Sequence, residues 1–119
     1  MTTKPLAFII EDDPALNEIT CVTLEPYFKI QTYLRGDHAM AALQKEAPAL
    51  LVLDINLPKI SGEEILKKIH ESGRFSATKV ILTTADSLQA AMLEDQADIV
   101  LLKPISTKQL RELAIRMAA

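Results

Sequence analysis

The sequence predicts an α/β fold: a doubly wound parallel sheet of five strands with five helices covering both of its faces. Two observations carry this. Strand-like and helix-like segments alternate from one end of the chain to the other, and most of the strand-like segments are continuous apolar runs such as Leu50-Leu51-Val52-Leu53 and Val80-Ile81-Leu82. A strand that is apolar on both sides needs cover on both sides, which is the situation of a parallel sheet between helical layers. At 119 residues the chain can bury a real core and reads as one domain, residues 1–119.

The elements follow in order. Leu6-Ala7-Phe8-Ile9-Ile10 is the first strand. Asp13-Pro14 then offers an N-cap and a proline at the first helical position, opening a helix to about Leu24 that Glu25-Pro26 ends. Lys29 to Tyr33 is a shorter, more polar edge strand, and Gly36-Asp37 starts a helix to about Glu46, before Pro48. The third strand ends at Asp54. Ser61-Gly62-Glu63-Glu64 has the form of a capping box, and the helix behind it puts Ile65, Leu66 and Ile69 on one face. On its other face Glu63/Lys67 and Glu64/Lys68 stand four apart, the spacing of helical ion pairs. After the fourth strand, Lys79 to Thr84, Asp86-Ser87-Leu88-Gln89 reads as a second capping box. Ile99 to Leu102 is the last strand, and Ser106-Thr107-Lys108-Gln109 opens a last helix burying Leu110, Leu113, Ala114 and Met117.

Composition narrows the function classes. Hydrophobic residues at 49% with 24% charged describe a soluble globular domain, and 4% aromatics leave the core to Ile, Leu, Val and Ala. A net charge of −3 gives no basic face for direct nucleic-acid contact. The lone Cys21 allows neither an intrachain disulfide nor a cysteine metal cluster, so a reducing cytoplasm is the expected location. No segment has the length and apolarity of a membrane span. His38 and His70 have no metal-ligand spacing and are expected at exposed helix positions.

The chemistry gathers at strand ends. The first strand runs into Glu11-Asp12-Asp13, the third ends in Asp54, the fourth in Thr83-Thr84, and the fifth runs into Lys103-Pro104. In a parallel sheet these ends share one edge. Carboxylates brought together there repel by about 4 kcal/mol per pair at ~4 Å in an effective dielectric of ~20, and a hard cation is the usual remedy. Acids, a hydroxyl and a lysine at one edge point to phosphoryl chemistry. Singly, each has a plainer reading: a helix cap for the acids, an Asx turn for Asp54, a solvated loop charge for Lys103.

Taken together, Ile10-Glu11-Asp12-Asp13-Pro14, Leu53-Asp54-Ile55-Asn56-Leu57-Pro58, Ser61-Gly62, Thr84-Ala85 and Lys103-Pro104 make the chain resemble the receiver domains of two-component response regulators over nearly its whole length. The resemblance implies the flavodoxin-like strand order 2-1-3-4-5, with the site at the crevice between the first and third strands. It implies that Asp54 is the phosphoacceptor, taking a phosphoryl group from a sensor histidine kinase or phosphotransfer protein. Mg²⁺ would be held by Glu11, largely through water, by Asp12 and Asp54, and by the backbone carbonyl of Asn56. Thr84 and Lys103 would bind phosphoryl oxygens, with Ala85 in the switch loop. Pro58, Gly62 and Pro104, the last after a cis peptide, would shape the loops. Asp13 could replace one of the acids, although it is also accounted for as the cap before Pro14. Such a domain is a signalling switch; it catalyses only its own phosphotransfer and dephosphorylation, and its output partner is not named by the sequence.

Two features depart from the family pattern. Val100 stands where most receivers carry Tyr or Phe, and the stretch from Thr84 to Lys103 is short by roughly one helical turn. No Lys or Arg lies between Asp86 and Gln96, so the receiver dimer through the fourth helix, fifth strand and fifth helix is not expected. The main rival reading is a degenerate receiver acting as a phosphorylation-independent binding module. A haloacid-dehalogenase-like phosphatase would need an acid where Asn56 stands, and an FMN module would need a Ser/Thr/Gly-rich loop where Glu11-Asp12-Asp13 stands.

Overall fold

The computed structural model describes residues 3–118; residues 1, 2 and 119 of the expected domain lie outside the described residues. The elements run β1 (Leu6–Ile10), α1 (Pro14–Leu24), β2 (Lys29–Tyr33), α2 (Gly36–Leu43), β3 (Leu50–Asp54), α3 (Gly62–Glu71), β4 (Lys79–Thr84), α4 (Ser87–Met92), β5 (Ile99–Leu102) and α5 (Thr107–Ala118). Short 3₁₀ turns at Gly73–Phe75 and Glu94–Gln96 precede β4 and β5. All five strands are parallel neighbours in the order β2-β1-β3-β4-β5.

Alternation along each strand divides the core into two halves. Phe8, Ile10, Leu51, Leu53, Val80 and Leu82 face α2, α3 and Leu93, joined by Leu43, Ile65, Leu66 and Ile69. Ala7, Ile9, Leu50, Val52, Ile81 and Leu101 face α1 and α5, meeting Leu24, Leu110 and Ala114. Each fully buried Leu, Ile or Phe contributes about 1.5–3 kcal/mol, so the three middle strands, apolar on both sides, anchor the edge that carries the site. Cys21 is a half-buried thiol against the α1/α5 half.

Several local expectations are corrected. α2 stops at Leu43 instead of near Glu46, because Lys45 and Glu46 both turn their amides onto the Ala42 carbonyl and Gln44 to Glu46 have no apolar face to bury. In α5 only Leu110 and Ala114 are fully buried; Leu113 and Met117 pack at the margin. Glu63/Lys67 and Glu64/Lys68 do not close: among the described residues, ion pairs join only Arg35 to Asp37 and Lys103 to two acids. These side chains are exposed, where holding two long chains together gains little. Ser61 caps α3 by accepting from the Glu64 amide at 3.2 Å, and Ser106 does the same for Gln109 at 3.2 Å.

Candidate functional site

The sheet ladder extends one residue past three strand ends, which fixes the backbone of the site. The Glu11 amide donates to the Tyr33 carbonyl at 3.1 Å, Ile55 to Thr83 at 3.0 Å, and Lys103 to Thr84 at 2.8 Å. Asn17, buried on α1, donates from Nδ2 to the carbonyls of Glu11 and Tyr33 at 3.1 and 3.2 Å. Sequence reading assigned Asn17 no role. A buried amide at a helix position otherwise facing the core was the available signal, since a buried polar group needs partners.

Glu11, Asp12 and Asp54 bring carboxylate oxygens within 4.8 Å of one another, with Glu11 and Asp54 buried and Asp12 exposed. Asp13 is turned away: its Oδ1 accepts from the amides of Ala15 and Leu16 at 2.9 and 3.4 Å, so it is the cap of α1. The Lys103 ammonium lies 2.7 Å from Glu11 Oε1 and 3.3 Å from Asp54 Oδ2. Burial pushes the Glu11 carboxyl up to about 7; Lys103 pulls against this, while the Asp54 charge adds to it. Burial also works against the Lys103 ammonium, yet Glu11 and Asp54 outweigh it and its pKa stands above the ordinary lysine value. The peptide between Lys103 and Pro104 is cis.

Asp54 Oδ1 accepts from the Asn56 amide at 3.0 Å, and Asn56 Nδ2 donates to Thr84 Oγ1 at 3.2 Å. Asn56 is thus tied to Asp54 and to Thr84 through its two nitrogens. Thr84 donates its own proton to Gln89 Oε1 at 2.7 Å and accepts from the Asp86 amide at 3.1 Å. Gln89 is a second residue that sequence reading missed. Asp86 does cap α4, accepting from the amides of Leu88 and Gln89, but Gln89 uses its side chain on Thr84 instead of closing the box. Thr83, the neighbour, faces the other way, into a cavity of about 540 Å³ between α1 and α5 that Glu11, Ala85, Lys103 and Pro104 also line.

The loop after Asp54 is pinned from both sides. Gly62 donates to the Ile55 carbonyl at 3.0 Å, and a Cβ on it would stand 2.5 Å from Ile55 Cα and 2.6 Å from the Asp54 carbonyl oxygen. Between Pro58 and Gly62, Lys59 adopts φ 64°, the left-handed region that lysine rarely enters. His38 and His70 are exposed and stand outside the acidic group.

The described acids offer only hard oxygen donors, the set that Mg²⁺ takes in preference to nitrogen or sulfur. A lysine and a hydroxyl complete an edge suited to an anion carrying several oxygens. The profile of the response regulator receiver domain matches residues 7–115. This chain belongs to that family. Among curated relatives, the receiver is 34% identical over 110 residues to the phosphate regulon transcriptional regulatory protein PhoB of Rhizobium meliloti, covering 89% of this chain and 48% of that protein. It is 26% identical to hybrid signal transduction histidine kinase D of Dictyostelium discoideum, covering 90% of this chain and 7% of that one. The receiver therefore spans about half, or much less, of the length of such relatives. Among solved structures, the BeF₃-activated receiver domain of DrrB, a Thermotoga maritima protein, superposes with TM-score 0.86 at 26% identity over 97% of both chains. Chemotaxis protein CheY4 of Vibrio cholerae shares the fold at TM-score 0.84 and 19% identity, over 97% of this chain and 99% of that one. Among the described residues, no helix is long and apolar enough to cross a membrane.

Proposed function

We propose that residues 1–119 form one phosphorylation-dependent switch, in which Asp54 accepts a phosphoryl group from a sensor histidine kinase or phosphotransfer protein in the cytoplasm. The observation that carries this is the Lys103 ammonium 3.3 Å from Asp54 Oδ2, at an edge that also gathers Glu11, Asp12 and Thr84. Kinship with a hybrid histidine kinase supports the choice of donor.

Glu11, Asp12, Asp54 and the Asn56 carbonyl would hold Mg²⁺, which when bound offsets the charge of the carboxylates and of the incoming phosphoryl group. An Asp54 carboxylate oxygen attacks phosphorus in line. The P–N bond of the donor phosphohistidine breaks, its electron pair returns to the imidazole, and the ring nitrogen then takes a proton from water. Lys103 supplies positive charge and Thr84 a hydroxyl proton to oxygens of the transferred group. Asn56, through its bonds to both Asp54 and Thr84, positions the nucleophile relative to the hydroxyl. The domain turns over no other substrate; its product is its own altered surface, read by an output partner.

Exposure to a small-molecule phosphodonor with Mg²⁺, followed by intact-mass spectrometry, tests this. The wild type is expected to gain one phosphoryl group and Asp54→Asn none. Equal uptake by both would remove Asp54 from the role, and no uptake by a folded, Mg²⁺-binding wild type would favour a phosphorylation-independent binding module.

A further inference from the structure

We propose that Gln89 is a positioning residue that holds the Thr84 hydroxyl away from Asp54 at rest, so that a phosphoryl group on Asp54 and the Gln89 carbonyl compete for one proton. The inference rests on the reading in which Thr84 binds the phosphoryl group, and it adds what that binding must break.

A threonine hydroxyl has one proton to give and two lone pairs to accept with. At Thr84 all three are used: the proton goes to Gln89 Oε1 at 2.7 Å, and the lone pairs meet Asn56 Nδ2 at 3.2 Å and the Asp86 amide at 3.1 Å. Thr84 is buried, which leaves little water to substitute for any of these partners. No proton is left for a phosphoryl oxygen. Capture of the phosphoryl group therefore exchanges one acceptor, the Gln89 carbonyl, for another, and frees the Gln89 side chain.

Gln89 is also one of the ties of α4 to the sheet. None of the six residues of α4 is fully buried, and the core anchor nearest to it is Leu93, just past its C-terminal end. Gln89 reaches β4 through Thr84 and approaches α3 through Nε2, 3.4 Å from Glu63 Oε1. Loss of the Thr84 bond loosens the helix that carries Leu88 and Met92, 69% and 70% exposed. Val100, packed at the margin of the α2/α3 half of the core, has no polar tip with which to share this work. In this chain the hydroxyl reports to α4 directly.

The test is a double-mutant cycle read by NMR titration of the full chain with beryllofluoride in excess Mg²⁺. Removing the carbonyl in Gln89→Met is expected to tighten beryllofluoride binding about two- to tenfold, the equivalent of one net hydrogen bond. Thr84→Val is expected to weaken it, and Gln89→Met added to Thr84→Val to change nothing further. The wild-type Gln89 side-chain amide resonances should move on saturation, and in Thr84→Val they should be displaced before any beryllofluoride is added. Unchanged or weaker binding in Gln89→Met, repeated in Gln89→Leu to guard against a folding defect, overturns the proposal. So does an equal effect of Gln89→Met with and without the Thr84 hydroxyl, because a merely structural role acts in both backgrounds. Binding by Thr84→Val as tight as the wild type would instead remove Thr84 from the phosphoryl site, overturning the underlying assignment and this inference with it.

Discussion

Lys103 is bonded more closely to Glu11, at 2.7 Å, than to Asp54, at 3.3 Å. The lysine thus offsets two carboxylates at once, with Glu11 its nearer partner at rest. Lys103→Ala leaves both buried acids facing Asp12 without compensation. It is expected to lower stability at pH 7.5 by about 2 kcal/mol, the scale of a lost charged hydrogen bond, and Mg²⁺ should restore part of that loss. Urea denaturation with and without Mg²⁺ measures both; an unchanged midpoint in the metal-free variant would show that solvent already screens the acids.

Glu11 gives the metal-free protein a pH dependence of definite sign. Its carboxyl titrates near 7 in the fold against 4.5 ordinarily, so between these values the folded state binds the proton and the unfolded state does not. This contribution is fully present below about 4.5 and is lost as pH rises through about 7. Stability in chelator should therefore fall from pH 5.5 to pH 8, and Glu11→Gln should flatten the fall. A profile rising over that interval in wild type and variant alike would contradict the burial effect.

At Gly62 the contact is backbone on backbone, 2.5 Å from Ile55 Cα and 2.6 Å from the Asp54 carbonyl oxygen for an added Cβ. Neither atom can swing aside as a side chain would. Gly62→Ala should cost about 1–3 kcal/mol and slow phosphoryl uptake by shifting the Asp54 main chain. Gly73→Ala is the control, because nothing lies within 4 Å of its added Cβ; thermal melts should separate the two variants.

Lys59, at φ 64°, carries a left-handed penalty of about 1–2 kcal/mol that glycine avoids, offset by about 0.5–1 kcal/mol of extra chain entropy. Lys59→Gly should gain up to about 1 kcal/mol in chemical denaturation. A loss of stability would mean that the lysine side chain contributes more than its backbone costs.

Much of this was legible because it depends on local rules. Apolar runs marked β1, β3, β4 and β5 at their observed bounds, the more polar Lys29 to Tyr33 was read as the edge strand it is, and Asp13-Pro14 marked the start of α1. Strand order was different: nothing in the spacing of five similar runs states which are neighbours, and 2-1-3-4-5 came from the family motifs. At the site, Glu11, Asp12, Asp54 and Lys103 could be singled out because each ends or follows a strand, whereas the choice of Thr84 over Thr83 came from the family motif Thr84-Ala85. Asn17 showed only as a polar residue on the core face of α1, its partner Tyr33 lying on β2, and Gln89, five residues from Thr84, read as part of a helix cap. The Asp86–Gln89 spacing matched a capping box, but a 2.7 Å bond to a buried hydroxyl outcompeted the exposed helix end. Lys59 carried no signal, because its conformation is imposed by the closure between Pro58 and Gly62 rather than preferred by lysine.

That α4 contributes no fully buried side chain bears on how such a domain can diverge. Substitutions at Leu88, Ala91 or Met92 touch neither half of the core nor the acidic edge, so drift there is nearly free of folding cost. Asp86 and Gln89 are the fixed points, one capping the helix and the other tying it to Thr84. A lineage can rewrite the rest of the helix while inheriting the acidic edge intact.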